Sequence, residues 1–470
     1  MRILLVLAVS AALTGQLFFA RTFAVHLHVP HDLRDTIGWK LDQLIRAYAE
    51  ARGFNGSVLV ARDREVLLDK GYGWRDKAHK LPCTGYTRYQ IASTTKTFTS
   101  TLILRLAAAG KLALTDKLSR WYPQLPFADS VTIEAMLTHT SGIYDFTREP
   151  PIKQAEEKTF IDILTVHPLD FPPGTQWRYS NSNYVLLGFI AGRIMGTDYF
   201  HAVRTTIFEP LHMEASGFDF IRLKSPDKAI GYQTLDDSIA IPDEITDSSV
   251  PAGAGAIFST VEDLYRWHLG LQDGRVLSQD WQARAYRKFQ GNNYGYGWTI
   301  DSMAGRLVVS HSGSISGFGS DFERVPQDDI CVVVLSNKSG STSTVQNIAR
   351  SLLAILYDQP YSIPKKWTFR HLPPEQLQTY AGLYDFPQIG LTFRLWVEDG
   401  MLYGQSANRP GARSILRPVG DDHFVTQEDG DVECWIDRKA GTRRTTGAPL
   451  SCAPVRLPQR GRTFTGKKIK

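Results

Sequence analysis

Near residue 360 the hydrophobic pattern of the chain changes period, and one core cannot serve both patterns. Upstream, apolar residues recur at helical spacing in some stretches and alternate in others. Downstream only the two-residue period of half-buried strands is left, in runs at 380–386, 391–398, 401–405, 415–419, 423–427 and 432–437. Turns such as Glu398-Asp399-Gly400 and Glu428-Asp429-Gly430 separate these runs. Between the two regimes, residues 359–374 carry Pro360, Pro364, Pro373 and Pro374, the composition of a linker. A length of 470 residues also favours two domains. The expected division is 1–24 as an export signal, 30–358 as the first domain, 359–374 as the linker and 375–470 as a small all-β barrel. Residues 438–454 do not alternate, and their pattern does not decide whether a strand lies there. The basic end of the chain (Arg456, Arg460, Arg462, Lys467, Lys468, Lys470) suits a solvated tail or an edge strand.

In the first domain the spacing predicts an amphipathic helix over 34–52, then strands over 55–61 and 65–73 around a charged turn at Asp63-Arg64. A short helix is expected over 132–139, a turn at Phe171-Pro172-Pro173-Gly174, and a helix after Asn181 running to Ile194. Residues 220–250 are polar and irregular, an expected surface excursion near the site. Ser259-Thr260-Val261-Glu262-Asp263 has the capping pattern of a helix start. Strands follow at 296–301, 306–310, 318–325 and 330–336, then a last helix over 343–357. Helices at both ends, with an antiparallel sheet assembled from early and late strands, predict an α/β sandwich.

Ser93-Thr94-Thr95-Lys96 opens an apolar helix with Phe98, Leu102, Leu106 and Ala109 on one stripe and Gly110 past its end. A serine in the first turn of such a helix sits among unpaired N–H groups at the positive end of the dipole. Three residues on, the Lys96 amine can reach its hydroxyl, which is what a nucleophile and its proton acceptor require. An N-capping serine followed by a solvated lysine would give the same four letters, so the weight falls on partners elsewhere.

Two further segments supply them. Tyr179-Ser180-Asn181 puts a phenol and a carboxamide on one turn after the Pro-Gly loop. A tyrosine can relay a proton if neighbouring cations lower its pKa, and the amide can bind a substrate carbonyl or orient a lysine. His311-Ser312-Gly313 follows the strand Leu307 to Ser310. A glycine on an edge strand lets substrate backbone approach, and the next N–H, that of Ser314, could form half an oxyanion hole.

The net charge of +5 is modest for this size and indicates neither nucleic acid nor a membrane surface as partner. Arg2 followed by the apolar run from Ile3 to Gly15 has the form of a secretory signal ending near Ala20 or Ala24, so a secreted or periplasmic protein is expected, membrane-bound only if the segment stays uncleaved. Cys83, Cys331, Cys434 and Cys452 follow no metal-ligand spacing; Cys331 belongs to a buried strand, and Cys434 and Cys452 could pair after export. The twelve histidines form no His-x-x-x-His cluster, so no metal and no cofactor is expected. No serine sits in a Gly-x-Ser-x-Gly elbow, which disfavours an α/β-hydrolase.

In this order and at these separations, Ser93-x-x-Lys96, Tyr179-x-Asn181 and His311-x-Gly313 resemble the motifs of the serine β-lactamase and penicillin-binding-protein family, closest to its class C-like branch. Leu137-Thr138-His139-Thr140-Ser141-Gly142, Phe171-Pro172-Pro173-Gly174, Ser182-Asn183-Tyr184 with Leu187-Gly188, and Pro251-Ala252-Gly253 with Ser259-Thr260 extend the likeness over residues 35–357. The tail looks like the lipocalin-like domain often appended to such hydrolases. The resemblance implies an α/β fold of the β-lactamase/transpeptidase type, an antiparallel sheet flanked by helices plus a helical region, followed by the barrel. It implies that Ser93 is acylated, that Lys96 and Tyr179 share proton transfer, and that Asn181, His311, Ser312, Gly313 and Ser314 contact substrate. The N–H groups of Ser93 and Ser314 would bind the oxyanion, each worth about 3 kcal/mol or more of barrier. A lysine acting as base must fall below its ordinary pKa, which burial favours.

The third motif departs from the Lys-Thr-Gly of β-lactamases, since a histidine is largely neutral at pH 7 where lysine is a permanent cation. His-x-Gly looks more like the family's peptidases and D-amino-acid hydrolases. The expected activity is therefore a peptidase or amidase on small D-amino-acid-containing peptides (a D-Ala-D-Ala carboxypeptidase or D-aminopeptidase type), ahead of a carboxylesterase or a weak β-lactamase. A non-catalytic binding or sensor protein on the same fold would not need Ser93, Lys96, Tyr179 and His311 together.

Overall fold

The computed structural model describes residues 37–236, 239–289, 291–386, 391–407, 413–426, 432–436, 449–454 and 464–468. The expected signal segment 1–24 lies outside them. The first domain is built on a six-stranded antiparallel sheet: β1 (Gly56–Arg62), β2 (Glu65–Tyr72), β3 (Thr299–Met303), β4 (Arg306–Ile315), β5 (Phe318–Val325) and β6 (Ile330–Ser336), in the order β2-β1-β6-β5-β4-β3. The early hairpin thus pairs with the last strand, Gly56 opposite Ser336 and Arg62 opposite Ile330. Its turn sits at Asp63-Arg64 as the charges suggested, both residues at positive φ (51° and 66°), the twist that tight hairpins require.

Both faces of the sheet are covered, which explains why β6 is a continuous apolar run. Val58, Val60, Val332 and Val334 pack on Leu41, Leu44 and Ile45 of α1 (Ile37–Arg52) and on Val345, Ile348 and Leu352 of the last helix, Thr342–Leu356. Leu59, Ala61, Cys331, Val333 and Leu335 face the larger core of the helical region. That region is centred on α2 (Thr95–Ala108), buried from Thr95 to Leu104 on every side rather than along one stripe, while Ala109 is exposed. Enclosure between sheet and helices is the reason: Phe98 stacks on Trp267 with ring centroids 4.3 Å apart, and Leu102 and Ile103 are both fully enclosed. Removing Leu102 to alanine would cost about 2–5 kcal/mol. Helix Val261–Gln272 starts at the Thr260 cap, whose Oγ1 accepts from Asp263 N–H at 3.0 Å.

Four local expectations change. Ser93 is not in the first α-turn but in a 3-10 turn, Ala92–Thr94, ahead of α2, because Thr94 N–H closes back on Ile91 O at 3.2 Å. His311, Ser312 and Gly313 do not follow a strand; they are inside β4, which keeps its pairing to β5 as far as Ile315. The third strand of the sheet starts at Thr299, leaving Tyr294 to Trp298 in a loop against α2. Within the irregular stretch 220–250, Tyr232–Leu235 and Ala240–Pro242 form a small hairpin.

Beyond residues 357–373, which hold neither helix nor strand, a short helix Pro374–Gln378 leads into the second unit. Its strands are β7 (Gly382–Phe386), β8 (Leu391–Glu398), β9 (Met401–Ser406), β10 (Ser414–Gly420), β11 (His423–Thr426), β12 (Val432–Ile436), β13 (Pro449–Pro454) and β14 (Phe464–Lys468). Each pairs antiparallel with the next, and β14 returns to β7, closing the ring. Tyr380, Tyr384, Phe386, Leu395, Leu402, Leu416 and Phe424 fill its inside. One stretch the pattern left open is filled here, and one expectation falls. Residues Pro449–Pro454 do form a strand, although they lack alternation, because β12 and β14 supply backbone partners on both sides. Lys467 and Lys468 belong to a strand paired on both sides, not to a free tail or an edge. Cys434 and Cys452 are register partners on β12 and β13.

Candidate active site

Where α2 begins, the chain is strained. Ala92 has φ +45°, His139 +58° and Ala252 +35°, a region costly for any residue with a Cβ. All three flank one cleft. The first presents Ser93 at the surface of the 3-10 turn, half-exposed, while Lys96 one turn on is fully enclosed. Lys96 Nζ lies 3.0 Å from Ser93 Oγ, 2.9 Å from Asn181 Oδ1 and 2.7 Å from the carbonyl of Ala254. A neutral amine has two N–H groups and one lone pair. Asn181 Oδ1 and Ala254 O take the two N–H groups, so the lone pair faces the Ser93 hydroxyl. Burial brings Lys96 down to about 7, with the Asp145 carboxylate opposing the fall.

The Ala254 carbonyl arrives through close packing. A Cβ on neighbouring Gly253 would sit 2.4 Å from Tyr184 O, so only glycine lets this turn approach the helix Asn181–Met195. Asn181, the first residue of that helix, has its amide oriented from behind. Asp145 accepts from Asn181 N–H (3.2 Å, Oδ1) and from its Nδ2 (3.3 Å, Oδ2), which turns Oδ1 toward Lys96.

The Tyr179 phenol faces Ser93, whose side chain works to lower its pKa, and Lys96 Nζ lies 4.9 Å from its ring centroid. No cation lowers this phenol. Burial dominates and pushes it above its ordinary value, so it stays protonated and can pass a proton but not serve as a standing phenolate. His139 holds the tyrosine in place, its ring 4.3 Å from that of Tyr179. Its Nδ1 accepts from Ser180 N–H at 3.2 Å and lies 3.2 Å from Asn183 Nδ2, which fixes the proton on Nε2. Burial, with Lys96 and His311 nearby, holds the His139 ring neutral, well below the ordinary histidine range.

The third wall is β4. The neighbouring strand β3 pairs with it only from Arg306 to Ser310, whereas β5 continues to Ile315. Residues 311–315 therefore have an edge unpaired by any described strand, to which an extended backbone can add. The turn bearing Ser93 is clamped to this strand and its neighbour β5: Thr94 Oγ1 donates to His311 O (3.1 Å) and Ser320 Oγ of β5 to Ile91 O (2.7 Å). Here too glycine is required, since a Cβ on Gly313 would lie 2.3 Å from Ile91 O and 2.9 Å from Ser93 N. Gly313 thus brings the Ser93 N–H against the strand just before exposed Ser314. The Ser312 side chain goes elsewhere: its Oγ accepts from Gln346 Nε2 (3.1 Å) of the last helix, on the opposite face of the sheet.

His311 is buried, and burial first, then Lys96, lowers it to about 3. Its Nδ1 lies 2.7 Å from Ser312 O and its Nε2 2.9 Å from the hydroxyl of Tyr294. Tyr294, Asp145, Ala254 and the role of His139 had no place in the sequence reading. The aromatic-glycine run Tyr294-Gly295-Tyr296-Gly297 was the available signal for the first. Among the described residues no group of three or more His, Cys, Asp or Glu side chains is placed to hold a metal ion.

Comparison with known proteins bears on the family and the fold. The sequence profile of the family described as Beta-lactamase matches residues 41–356. Penicillin-binding protein 4* of Bacillus subtilis (strain 168) is 30% identical over 412 residues, 82% of this chain and 90% of that protein. Among solved structures, the octameric penicillin-binding protein homologue from Pyrococcus abyssi superposes with a TM-score of 0.62 at 26% identity, over 91% of this chain and 99% of the other. The D-amino acid amidase from Ochrobactrum anthropi SV3 complexed with L-phenylalanine amide does so at 0.59 and 26%, over 70% of this chain and 99% of its own.

Proposed function

The chain belongs to the Beta-lactamase family and is a serine hydrolase of its penicillin-binding-protein-related kind; from that premise we propose that it cleaves amide or ester bonds through an acyl-enzyme on Ser93, as a peptidase or amidase acting on D-amino-acid-containing peptides. One observation carries the proposal. The enclosed Lys96 amine has acceptors for two N–H groups and the Ser93 hydroxyl as its third neighbour. As Ser93 Oγ bonds to the substrate carbonyl carbon, its proton passes to Lys96, and the amine with two donors becomes an ammonium with three. The negative charge on the carbonyl oxygen is met by the N–H groups of Ser93 and Ser314. When the C–N or C–O bond breaks, Tyr179 hands its phenolic proton to the leaving group and recovers one from Lys96. Water repeats the sequence on the acyl-enzyme, restoring Ser93. The D-amino-acid preference draws on the likeness to the D-amino acid amidase and on His311 in the third motif. Action outside the cytoplasm belongs to the same proposal, on the charged and apolar pattern of the first residues.

The test is turnover by the full-length protein of a D-Ala-D-Ala peptide, a D-amino-acid amide, a p-nitrophenyl ester and nitrocefin, with mass mapping of a fluorophosphonate adduct. Amide and ester should be turned over faster than nitrocefin, and the adduct should map to Ser93 alone. Labelling or turnover that persists in Ser93→Ala removes the proposal.

A further inference from the structure

His311 has no N–H left to offer a ligand. A carbonyl can only accept, so the 2.7 Å contact between Nδ1 and Ser312 O puts the ring proton on Nδ1. Nε2 is then a lone pair, and the Tyr294 hydroxyl, 2.9 Å away, donates to it. Both ring nitrogens are used within the protein. Tyr294 is itself fixed: its loop continues into Gly297, where a Cβ would lie 2.8 Å from Lys96 O, and its ring sits 4.9 Å from His139.

The charges around the cleft point the same way. Lys96 is turned inward to Asn181, Ala254 and Ser93. Arg148 and Arg178, on the neighbouring loops, both pair with Asp170, at 2.7 Å and 3.1 Å. The Asp145 carboxylate sits behind Asn181. A carboxylate arriving beside His311 would be stripped of water with no ring N–H to receive it, which is costly for an ion.

We propose that Tyr294 is a specificity-determining residue: by donating to His311 Nε2 it occupies the position at which that ring could take up a second proton, and the cleft favours substrates whose leaving side is an uncharged amide or ester over those that end there in a carboxylate. This rests on the acyl-enzyme reading of Ser93 and narrows it, toward amidase chemistry and away from carboxypeptidase chemistry.

The experiment compares kcat/KM of the full-length protein at neutral pH for N-acetyl-D-Ala-D-alaninamide and N-acetyl-D-Ala-D-Ala, which share an acyl part and differ only in the terminal charge. Wild type should prefer the amide. Tyr294→Phe keeps the ring and frees Nε2 to take up a proton as the carboxylate binds, so the preference should fall about fivefold, the equivalent of one hydrogen bond, through KM of the acid. Equal use of both substrates by wild type overturns the proposal, and so does a Tyr294→Phe loss that is the same for both. Nitrogen NMR of the imidazole supplies an independent arm: the wild-type ring should carry its proton on Nδ1, with Nε2 bare, and a proton on Nε2 overturns the inference. If neither dipeptide is turned over through Ser93, the functional reading fails while the NMR arm still decides the state of His311.

Discussion

Replacing Asp145 by asparagine should move the acid limb of the pH–rate profile to lower pH. Lys96 falls from 10.5 to about 7 on burial, a net penalty on its ammonium of about 5 kcal/mol. The Asp145 carboxylate is the opposing influence. It lies on the far side of the Asn181 amide, whose two ends are 2.9 Å from Lys96 Nζ and 3.3 Å from Asp145 Oδ2. With the amide between them the charges are roughly 7 Å apart, worth about 2 kcal/mol at an effective dielectric of about 20, or one to two pH units. The sign follows directly. A carboxylate stabilises the ammonium, so removing it favours the free amine, and less alkaline conditions suffice to deprotonate the base. The assay is kcat/KM for an uncharged p-nitrophenyl ester from about pH 4.5 to about pH 9, which reports the free enzyme because the substrate does not titrate. Wild type should rise with a midpoint near 7, and Asp145→Asn with a midpoint near 5 or 6. Histidine titration does not supply this limb, since His311 lies at about 3 and His139 well below its ordinary value. An unmoved midpoint, or one moved upward, would refute the coupling through Asn181.

Other consequences can be checked alongside. Tyr179→Phe should slow turnover roughly a hundredfold while leaving measurable acylation of Ser93, because the relay is lost but the Lys96 contact is not; burst kinetics with near-normal steady-state rates would contradict that role. Asp321 and Glu323 are both buried on one face of β5, and burial lifts Asp321 from 3.8 to about 7 and Glu323 well above its ordinary value. The folded pair holds protons that the unfolded chain releases, so stability should fall as pH rises from about 4 through about 7. Asp321→Asn should flatten that fall in a series of melting temperatures, and an unchanged slope would show that the pair does not titrate. The strands β7 to β14 pack on one another and on the helix Pro374–Gln378, so a chain ending near Tyr361 should keep turnover of a small ester. If that shortened chain folds yet has no ester turnover, the barrel completes the site.

Much of this protein is written locally. The two-residue alternation that made β8 and β9 readable also places their side chains, because a strand turns over at every residue whatever its surroundings. The Asp63-Arg64 turn and the Thr260 cap use short-range sterics and hydrogen bonds, and both stand where their residues suggested. The contact of Ser93 with Lys96 is of the same kind, since three residues span one turn. What tertiary structure alone decided is separated in sequence. Ala254 O reaches Lys96 from 158 positions away and Asn181 from 85, and no periodicity records either approach. The strand Pro449–Pro454 has no pattern of its own and exists through its two neighbours. A tyrosine beside cations would be lowered, but Tyr179 is raised by burial, because desolvation depends on everything around a group and not on its neighbours in the chain. The same holds for His311: the sequence supplies an imidazole, and only the fold brings Tyr294 and the Ser312 carbonyl to its two nitrogens, deciding which one carries the proton.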